Sequence, residues 1–303
     1  MSEPTPAASA VSTVAEMLHG YSIEINPRDH KAIDSAQNRL EAGTEVFLTW
    51  IPGTDPMDTI APAARLRRAG LVPVPHIGAR HVESAQQLSK LVSRLTGEAG
   101  IDRVLIIGGD RHKPAGPYDS SLALMQSGIL QEAGIARVAV AGFPQGNPHI
   151  PEATLMEALP AKIAFARRAG LQISIVTQFS FEAAAVVAWL SRIRAMNVDV
   201  PVRVGLAGPS GLITLTRYAV RCGVGTSLRV LTENPAFAKL LVEKGPEPVV
   251  RELASALVSR LGTPPLGIAG LHFFVFGGFD KTVDWIDSRR FSSSHPAELR
   301  AAS

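Results

Sequence analysis

Eight short apolar segments alternate along the chain with longer segments of helical periodicity, and this alternation limits the possible folds more than any other feature. Each apolar segment has five to seven residues and is rich in Val, Ile, Leu or Phe. Continuous apolar runs are typical of parallel strands covered on both faces. Eight strands, each followed by a helix, predict an α/β fold of the (β/α)₈ type, the TIM barrel. The predicted strands are Tyr21–Ile25, Glu45–Trp50, Leu71–Ile77, Arg103–Gly109, Arg137–Phe143, Ile173–Gln178, Val202–Gly208 and Leu271–Phe276.

The segments between the strands carry apolar residues at spacings of three and four, as amphipathic helices do. Several end at an Ala-Gly pair, and Gly70, Gly134 and Gly170 suit the residue that follows a helix. The gap before the last strand is too long for one helix, so we expect two extra helices there, Ala236–Lys244 and Glu247–Leu261. A doubly wound sheet is the alternative, but eight evenly spaced units without a glycine-rich first turn favour the barrel. The clearest other helices are Val82–Thr96, Asp119–Glu132 and Phe181–Met196.

Composition and charge argue against several classes of function. Lys and Arg number 30 against 27 Asp and Glu, and this net charge of +3 with no basic cluster predicts no nucleic-acid partner. The single cysteine, Cys222, excludes a disulfide framework and a cysteine zinc cluster, and suits a cytoplasmic protein. No run of about 18 apolar residues occurs, so we expect no membrane span.

The two ends of the chain differ in composition from the middle. Residues 1–13 are rich in Ala, Ser, Thr and Pro, and they lack the basic start and apolar core of a signal peptide. We therefore expect flexible tails at 1–13 and 292–303, and one barrel domain over 14–291.

The predicted strand ends define the candidate site, because TIM-barrel active sites lie at the C-terminal ends of the strands. These ends carry many polar or aromatic residues, and a binding site is the better interpretation of so many together. A structural barrel with a few polar residues at its ends is the alternative. The candidates at strand ends are Glu24, Thr49, Trp50, His76, Gly109, Asp110, Phe143 and Gln178.

Glu24 stands inside an apolar strand, between Ile23 and Ile25. A surface carboxylate on an edge turn is the alternative, but the apolar neighbours predict partial burial. Burial raises the pKa of a carboxyl group, so we expect Glu24 to serve as a general acid near neutral pH.

Other candidates have both a structural and a functional interpretation. Asp110 follows two glycines, which either form a turn that caps the next helix or let a flat cofactor approach the backbone. His76 is either a satisfied core histidine or part of the site, and no second ligand stands at metal spacing around it in the sequence. Gln178 offers donors and acceptors, as the edge of a pterin-like ring requires. We interpret Phe179 and Phe181 as packing residues.

Short motifs at these strand ends occur in a recognisable order from about Tyr21 to Phe276. The most specific are the seven residues Ile175–Phe181 and the five residues Gly270–Phe274. Together with the others, they resemble the bacterial catalytic-domain form of the methylenetetrahydrofolate reductase family. The other motifs are Ile23-Glu24, Leu48-Thr49-Trp50, Pro75-His76-Ile77, Gly109-Asp110, Tyr118 with Ser120-Ser121-Leu122, Phe143-Pro144 and Pro151-Glu152-Ala153.

The resemblance implies a FAD-dependent reductase that uses NADH or NADPH to convert 5,10-methylenetetrahydrofolate to 5-methyltetrahydrofolate, or that runs the reverse oxidation in one-carbon catabolism. It implies Glu24 as the acid that protonates N10 of the folate and Asp110 as the carboxylate beside the flavin and the folate cation. It implies Gln178 as a ligand of the pterin. From the residues themselves we expect no metal site, and a homo-oligomer is one option for assembly. The residues that it implies in FAD binding are Thr49, Trp50, His76, Gly109, Asp110, Tyr118, Phe143 and Lys162.

The chain departs from the family pattern at several positions that concern phosphate, nicotinamide and folate-tail binding. Gly108 replaces an arginine common at strand four, and Gly277-Gly278 stand where an arginine often follows strand eight. Ile25–Arg28 replaces a Phe-Phe-Pro-Pro segment, and the loop Gly208–Gly211 also differs.

Two other classes of function stay open at this stage. One is a folate-dependent methyl-transfer enzyme that uses no flavin, although Cys222 in a predicted helix argues against zinc-thiolate chemistry. The other is a non-catalytic folate- or flavin-binding barrel subunit. Glu24, Asp110 and Gln178 argue against that class, because a binding subunit has little need of an acid.

Overall fold

The computed structural model describes residues 15–224, 229, 231–259 and 266–291, and it confirms the predicted barrel. Eight parallel strands pair in chain order, and β8 pairs with β1 to close the sheet. The predicted tails lie outside the described residues. The strands are β1 (Ser22–Ile25), β2 (Glu45–Leu48), β3 (Val72–Gly78), β4 (Arg103–Ile107), β5 (Arg137–Gly142), β6 (Gln172–Thr177), β7 (Val202–Ala207) and β8 (Ile268–Phe274).

Helices connect the strands, and the two extra helices expected before β8 are confirmed at Pro235–Lys244 and Glu247–Ser259, although the predicted end at Leu261 lies outside the described residues. Gly70, Gly134 and Gly170 have φ angles of 80°, 84° and 69°, respectively, as expected of residues that follow a helix. The described helices include α1 (His30–Arg39), α2 (Ile60–Arg68), α3 (Ala85–Ala99), α4 (Ser121–Met125), α5 (Ile129–Glu132), α6 (Glu152–Arg168), α7 (Ala183–Ala195), α8 (Leu212–Arg221), α9 (Pro235–Lys244), α10 (Glu247–Ser259) and α11 (Phe279–Phe291).

The prediction of one helix over Asp119–Glu132 is wrong. The chain forms two short helices there, α4 and α5. Gly128 lies between them with φ of 78°, a left-handed conformation that an α-helix does not contain. The apolar residues of α4 and α5 keep the same helical spacing across the break, so the sequence pattern alone predicts one helix.

Side chains of the strands alternate between two cores. Outward-facing residues such as Ile23 and Ile25 are buried beneath the helices. Inside the barrel, a separate apolar cluster consists of Phe47, Val74, Leu105, Ala139 and Val176. This cluster forms the apolar part of the barrel interior.

An ion-pair group occupies the N-terminal end of the barrel. Glu45 Oε1 lies 2.6 Å from Arg103 Nη1, and Glu45 Oε2 lies 2.9 Å from Arg203 Nη2. These residues lie on the same face of their strands as the inner cluster, for example Glu45 two positions before Phe47. Their side chains therefore face the barrel interior and close this end with paired charges. The opposite end, which we call the mouth, carries the predicted candidate residues.

We expect Gly205→Ala to destabilise the fold by about 1–3 kcal/mol, the usual cost of overpacking a core. A Cβ at position 205 would lie 2.3 Å from the backbone oxygen of Thr177 and 2.9 Å from the ring of Phe274, so adjacent strands would have to separate. Thermal and chemical unfolding of the purified variant measure this loss. Gly211→Ala is the control, because a Cβ there meets nothing within 4 Å. Equal stability of the two variants would contradict the tight contact between β6, β7 and β8.

Candidate active site

Glu24 lies inside the barrel near the mouth, because alternate side chains of β1 face the interior. Thr49 Oγ1 donates a hydrogen bond to Glu24 Oε1 at 3.0 Å. Glu24 Oε2 lies 3.5 Å from Nε2 of His76 and 3.5 Å from Nε2 of His272. One carboxylate therefore joins groups from β1, β3, β8 and the residue after β2. We call Glu24, Thr49, His76 and His272 the carboxylate–imidazole cluster.

Aromatic rings pack against the two histidines of this cluster. The Phe47 ring lies 5.9 Å from the His76 ring and 4.7 Å from the His272 ring, in both cases edge to face. Phe274 contacts His272 from the other side, at 4.8 Å between ring centroids. The two histidines are 7% and 0% exposed, and neither Nε2 has a well-formed hydrogen bond with the described residues. His76 is thus a buried histidine that is not satisfied.

The expectation that the pKa of Glu24 is raised is wrong. Burial alone would raise this pKa, but the electrostatic contacts with His76 and His272 and the hydroxyl of Thr49 outweigh burial and lower the pKa of Glu24. Burial in turn lowers the pKa of His76 to about 4, despite the opposing charge of Glu24. Glu24 is therefore ionised and His76 neutral at neutral pH. An acid step at Glu24 requires a proton that a neighbouring group supplies.

Asp110 lies in the loop after β4 and pairs with His81, a residue that the sequence analysis did not single out. Asp110 Oδ1 lies 2.6 Å from His81 Nε2, and the two side chains are 70% and 10% exposed. Gly109 has φ of 92°, and a Cβ there would lie 2.8 Å from the His81 ring, so the glycine leaves room for His81. The helix-capping alternative for Asp110 is wrong, because Ser120 caps the next helix.

Gln178 follows β6 and is half-buried at the mouth. Its Oε1 accepts a hydrogen bond from the backbone N–H of Phe179 at 3.1 Å, which fixes the amide and leaves its NH₂ group as donor. Its own backbone N–H donates to Gly142 O at 2.8 Å. Phe179 and Phe181 are 1% and 3% exposed, which confirms them as packing residues.

Helix α8 contacts three of the loops at the mouth. Tyr218 stacks on Phe276 after β8, with ring centroids 4.0 Å apart and planes 17° apart. Gly223, just beyond α8, lies so close to Pro148 after β5 that a Cβ would approach the proline ring to 2.3 Å. Leu215 of α8 and Phe181, in the loop after β6, both line one small cavity. Burial and then the charge of Glu24 raise the pKa of Cys222, the residue after α8, to about 11.

The remaining candidates lie around the mouth at different depths. Trp50 follows β2, and its buried Nε1 has no hydrogen-bond partner among the described residues. Tyr118 is 6% exposed, and Phe143 is half-buried directly after β5. Lys162 is on α6 as predicted, and burial lowers its pKa to about 8. Their roles toward a ligand stay predictions.

Three site residues were missed, namely His81, His272 and Ser22. His272 belongs to a motif of the resemblance, but no role was assigned to it. Its signal in the sequence is parity: His272 and Phe274 share one face of β8, and Ser22 and Glu24 share one face of β1. His81 carries no such signal, because it lies in a short 3₁₀ turn after β3.

Comparison with known protein families adds no assignment, since no family model matches the chain. Across 15–224, 229, 231–259 and 266–291, no three His, Cys, Asp or Glu side chains are arranged to hold a metal ion. No helix in that part of the chain is long and apolar enough to cross a membrane.

Proposed function

We propose that this protein is a flavin-dependent reductase that transfers hydride from NADH or NADPH to 5,10-methylenetetrahydrofolate. The observation that supports this best is the buried carboxylate–imidazole cluster at the mouth. Among the described residues, the basic side chains within 4 Å of Glu24 are the imidazoles of His76 and His272, with no Lys or Arg. A carboxylate held by imidazoles can exchange protons, whereas one held by arginine is fixed in its ionised form.

Proton transfer is the chemistry that this substrate needs from the protein. The methylene bridge opens when N10 gains a proton and the bond from N10 to the methylene carbon breaks. In this proposal Glu24 places the proton on N10, and the electron pair of the broken bond stays on that nitrogen. The resulting iminium cation lies beside Asp110, whose charge stabilises it. The free NH₂ group of Gln178 donates to the pterin edge.

The residues at the ends of β2 to β4 fit a flat cofactor. Gly108 has open space beside it, since a Cβ at that position meets nothing within 4 Å. Trp50 Nε1 is a donor that lacks a partner, and Thr49 and His76 line the same side of the mouth. These residues, with Gly109 and Asp110, would hold the flavin ring, and Phe143, Tyr118 and Lys162 would contact the remainder of FAD. When bound, FAD would carry hydride between the two substrates.

The experiment that tests the proposal is flavin binding followed by two half-reactions. We expect a yellow protein, or a rise in melting temperature on addition of FAD. NADH or NADPH should bleach the flavin absorbance, and methylenetetrahydrofolate should restore it. A colourless protein whose melting temperature does not respond to excess FAD would contradict the proposal and favour methyl transfer or a binding subunit.

A pair of glycine variants tests whether the flavin binds at the mouth. Gly108→Leu fills the open space after β4, and we expect it to weaken FAD binding by roughly tenfold or more, about 1.4 kcal/mol. Gly97→Leu is the matched control, because Gly97 lies on the exposed side of α3 and a Cβ there also meets nothing within 4 Å. Equal FAD affinity of the two variants would place the flavin elsewhere.

A further inference from the structure

Ser22 and His272 form a buried pair that the proposed function has not yet used. Ser22 Oγ lies 2.9 Å from His272 Nδ1, and both residues are 0% exposed. The two residues are register partners in the β1–β8 pair, so the backbone fixes their distance. The opposite ring nitrogen of His272, Nε2, faces Glu24 Oε2 at 3.5 Å. His272 therefore bridges a hydroxyl and a carboxylate in the interior of the barrel.

The Ser22 hydroxyl can serve either protonation state of this imidazole. When His272 is neutral, the hydroxyl donates to Nδ1, and Nε2 carries the proton that faces Glu24. When His272 is protonated, Nδ1–H donates to Ser22 Oγ. The hydroxyl proton then turns to the carbonyl oxygen of Leu271, which lies 3.5 Å from Ser22 Oγ. Both states leave the Nδ1 side satisfied.

His76 has no comparable support. Among the residues described, no hydroxyl or carbonyl group hydrogen-bonds its ring. Burial lowers its pKa to about 4, so it does not hold a second proton at neutral pH. The two imidazoles therefore contact the same carboxylate oxygen but differ in the support of the ring, since His272 has a hydroxyl partner and His76 has none among the described residues.

We propose that His272, supported by Ser22, stores the proton that Glu24 delivers to the substrate. His272 is a positioning residue that acts through Glu24, and the inference rests on the proposed function for the identity of the proton acceptor. The buried Glu24 carboxylate needs a positive partner, and an imidazolium at His272 is the partner that the strand register supplies.

Within the described part of the chain, the other groups that face the pair carry no compensating charge. From β2, Phe47 and Thr49 contribute an apolar ring and a neutral hydroxyl. From β3, His76 is neutral. From the end of α8, the Cys222 thiol is also neutral, since burial and Glu24 raise its pKa to about 11. The charge balance of this interior therefore depends on Glu24 and His272.

The proton transfer balances without a further reactant. The Nε2–H bond of the His272 imidazolium breaks, its electron pair stays on Nε2, and the proton moves to Glu24 Oε2. Glu24 passes the proton to N10, whose bond to the methylene carbon breaks with the electron pair left on N10. The cluster ends with neutral His272 and ionised Glu24, and solvent reloads it after release of product. The present distance of 3.5 Å must shorten for the transfer, as catalytic hydrogen bonds do when ligands bind.

The test is NMR of the ring nitrogens in the full chain labelled with ¹⁵N-histidine, at neutral pH and without flavin or folate. Wild-type His272 should carry protons on both nitrogens, as an imidazolium paired with Glu24 does. Ser22→Ala should reduce the ratio of doubly to singly protonated His272 by about tenfold, the effect of one lost hydrogen bond to the cation. Glu24→Gln should reduce this ratio as well. Ser191→Ala, which removes a hydroxyl bonded within α7, should leave the ratio unchanged.

The outcomes separate this inference from the proposed function. A His272 that carries a single ring proton in wild type, or a ratio of doubly to singly protonated His272 that is equal in wild type and Ser22→Ala, overturns the inference whatever the protein binds. If flavin and folate bind, Ser22→Ala should also slow folate-dependent reoxidation about tenfold and leave reduction by NADH or NADPH unchanged. Equal reoxidation rates in that variant and in wild type overturn the inference and leave the reductase proposal standing.

Discussion

Glu24→Gln is expected to slow reoxidation of the reduced flavin by methylenetetrahydrofolate about a hundredfold or more, the usual contribution of a general acid. Glutamine keeps the acceptor that Thr49 Oγ1 contacts at 3.0 Å, but it cannot carry a proton from His272 to the substrate. Binding of FAD and its reduction by NADH or NADPH should be close to those of wild type, because no nitrogen is protonated in that half. Stopped-flow absorbance of the flavin measures the two half-reactions separately.

The matched control for this substitution is Glu182→Gln. Glu182 directly precedes α7, on the same side of the barrel as the mouth, and the carboxylate–imidazole cluster does not include it. Glu182→Gln removes the same single negative charge as Glu24→Gln, so a general electrostatic effect would appear in both variants. Reoxidation of Glu24→Gln at the wild-type rate would remove Glu24 from the mechanism and, with it, the main support for a reductase.

The fold could be predicted from the sequence because its strongest signals are local. Each apolar segment fits a strand covered on both faces, and Gly70, Gly134 and Gly170 mark where helices end. The error at Asp119–Glu132 arose where the local signal was continuous but one residue was not compatible with a helix. Gly128 has φ of 78° there, and a glycine inside a periodic segment does not reveal its own conformation.

The candidate site could be predicted only in part, because its electrostatics depend on contacts between distant strands. The apolar neighbours of Glu24 indicated burial correctly, but the direction of its pKa follows from His76 and His272, which lie 52 and 248 positions further along the chain. Ser22 and His272 meet only through the closing β1–β8 pair. A sequence shows parity within one strand, but it does not show the register between the first strand and the last.

Asp110→Asn is expected to slow folate reduction by about ten- to a thousandfold, the range for one electrostatic group at a transition state. The substitution keeps the shape of the side chain and removes the negative charge beside the folate cation. The Asp110 side chain is 70% exposed, so its charge gains strength only when bound ligands exclude water from it. Reduction of the flavin by NADH or NADPH should therefore change much less, because no folate cation forms in that half.

Two variants separate the charge of Asp110 from its position. Asp119→Asn, at an exposed residue further along the same loop, changes the net charge equally and should leave both half-reactions unchanged. His81→Gln keeps the carboxylate but weakens the 2.6 Å contact that orients it, so we expect a smaller loss than in Asp110→Asn. If Asp110→Asn slowed both half-reactions equally in stopped-flow measurements, its charge would not act on the folate cation. The His81–Asp110 pair would then be a structural contact between the loops after β3 and β4.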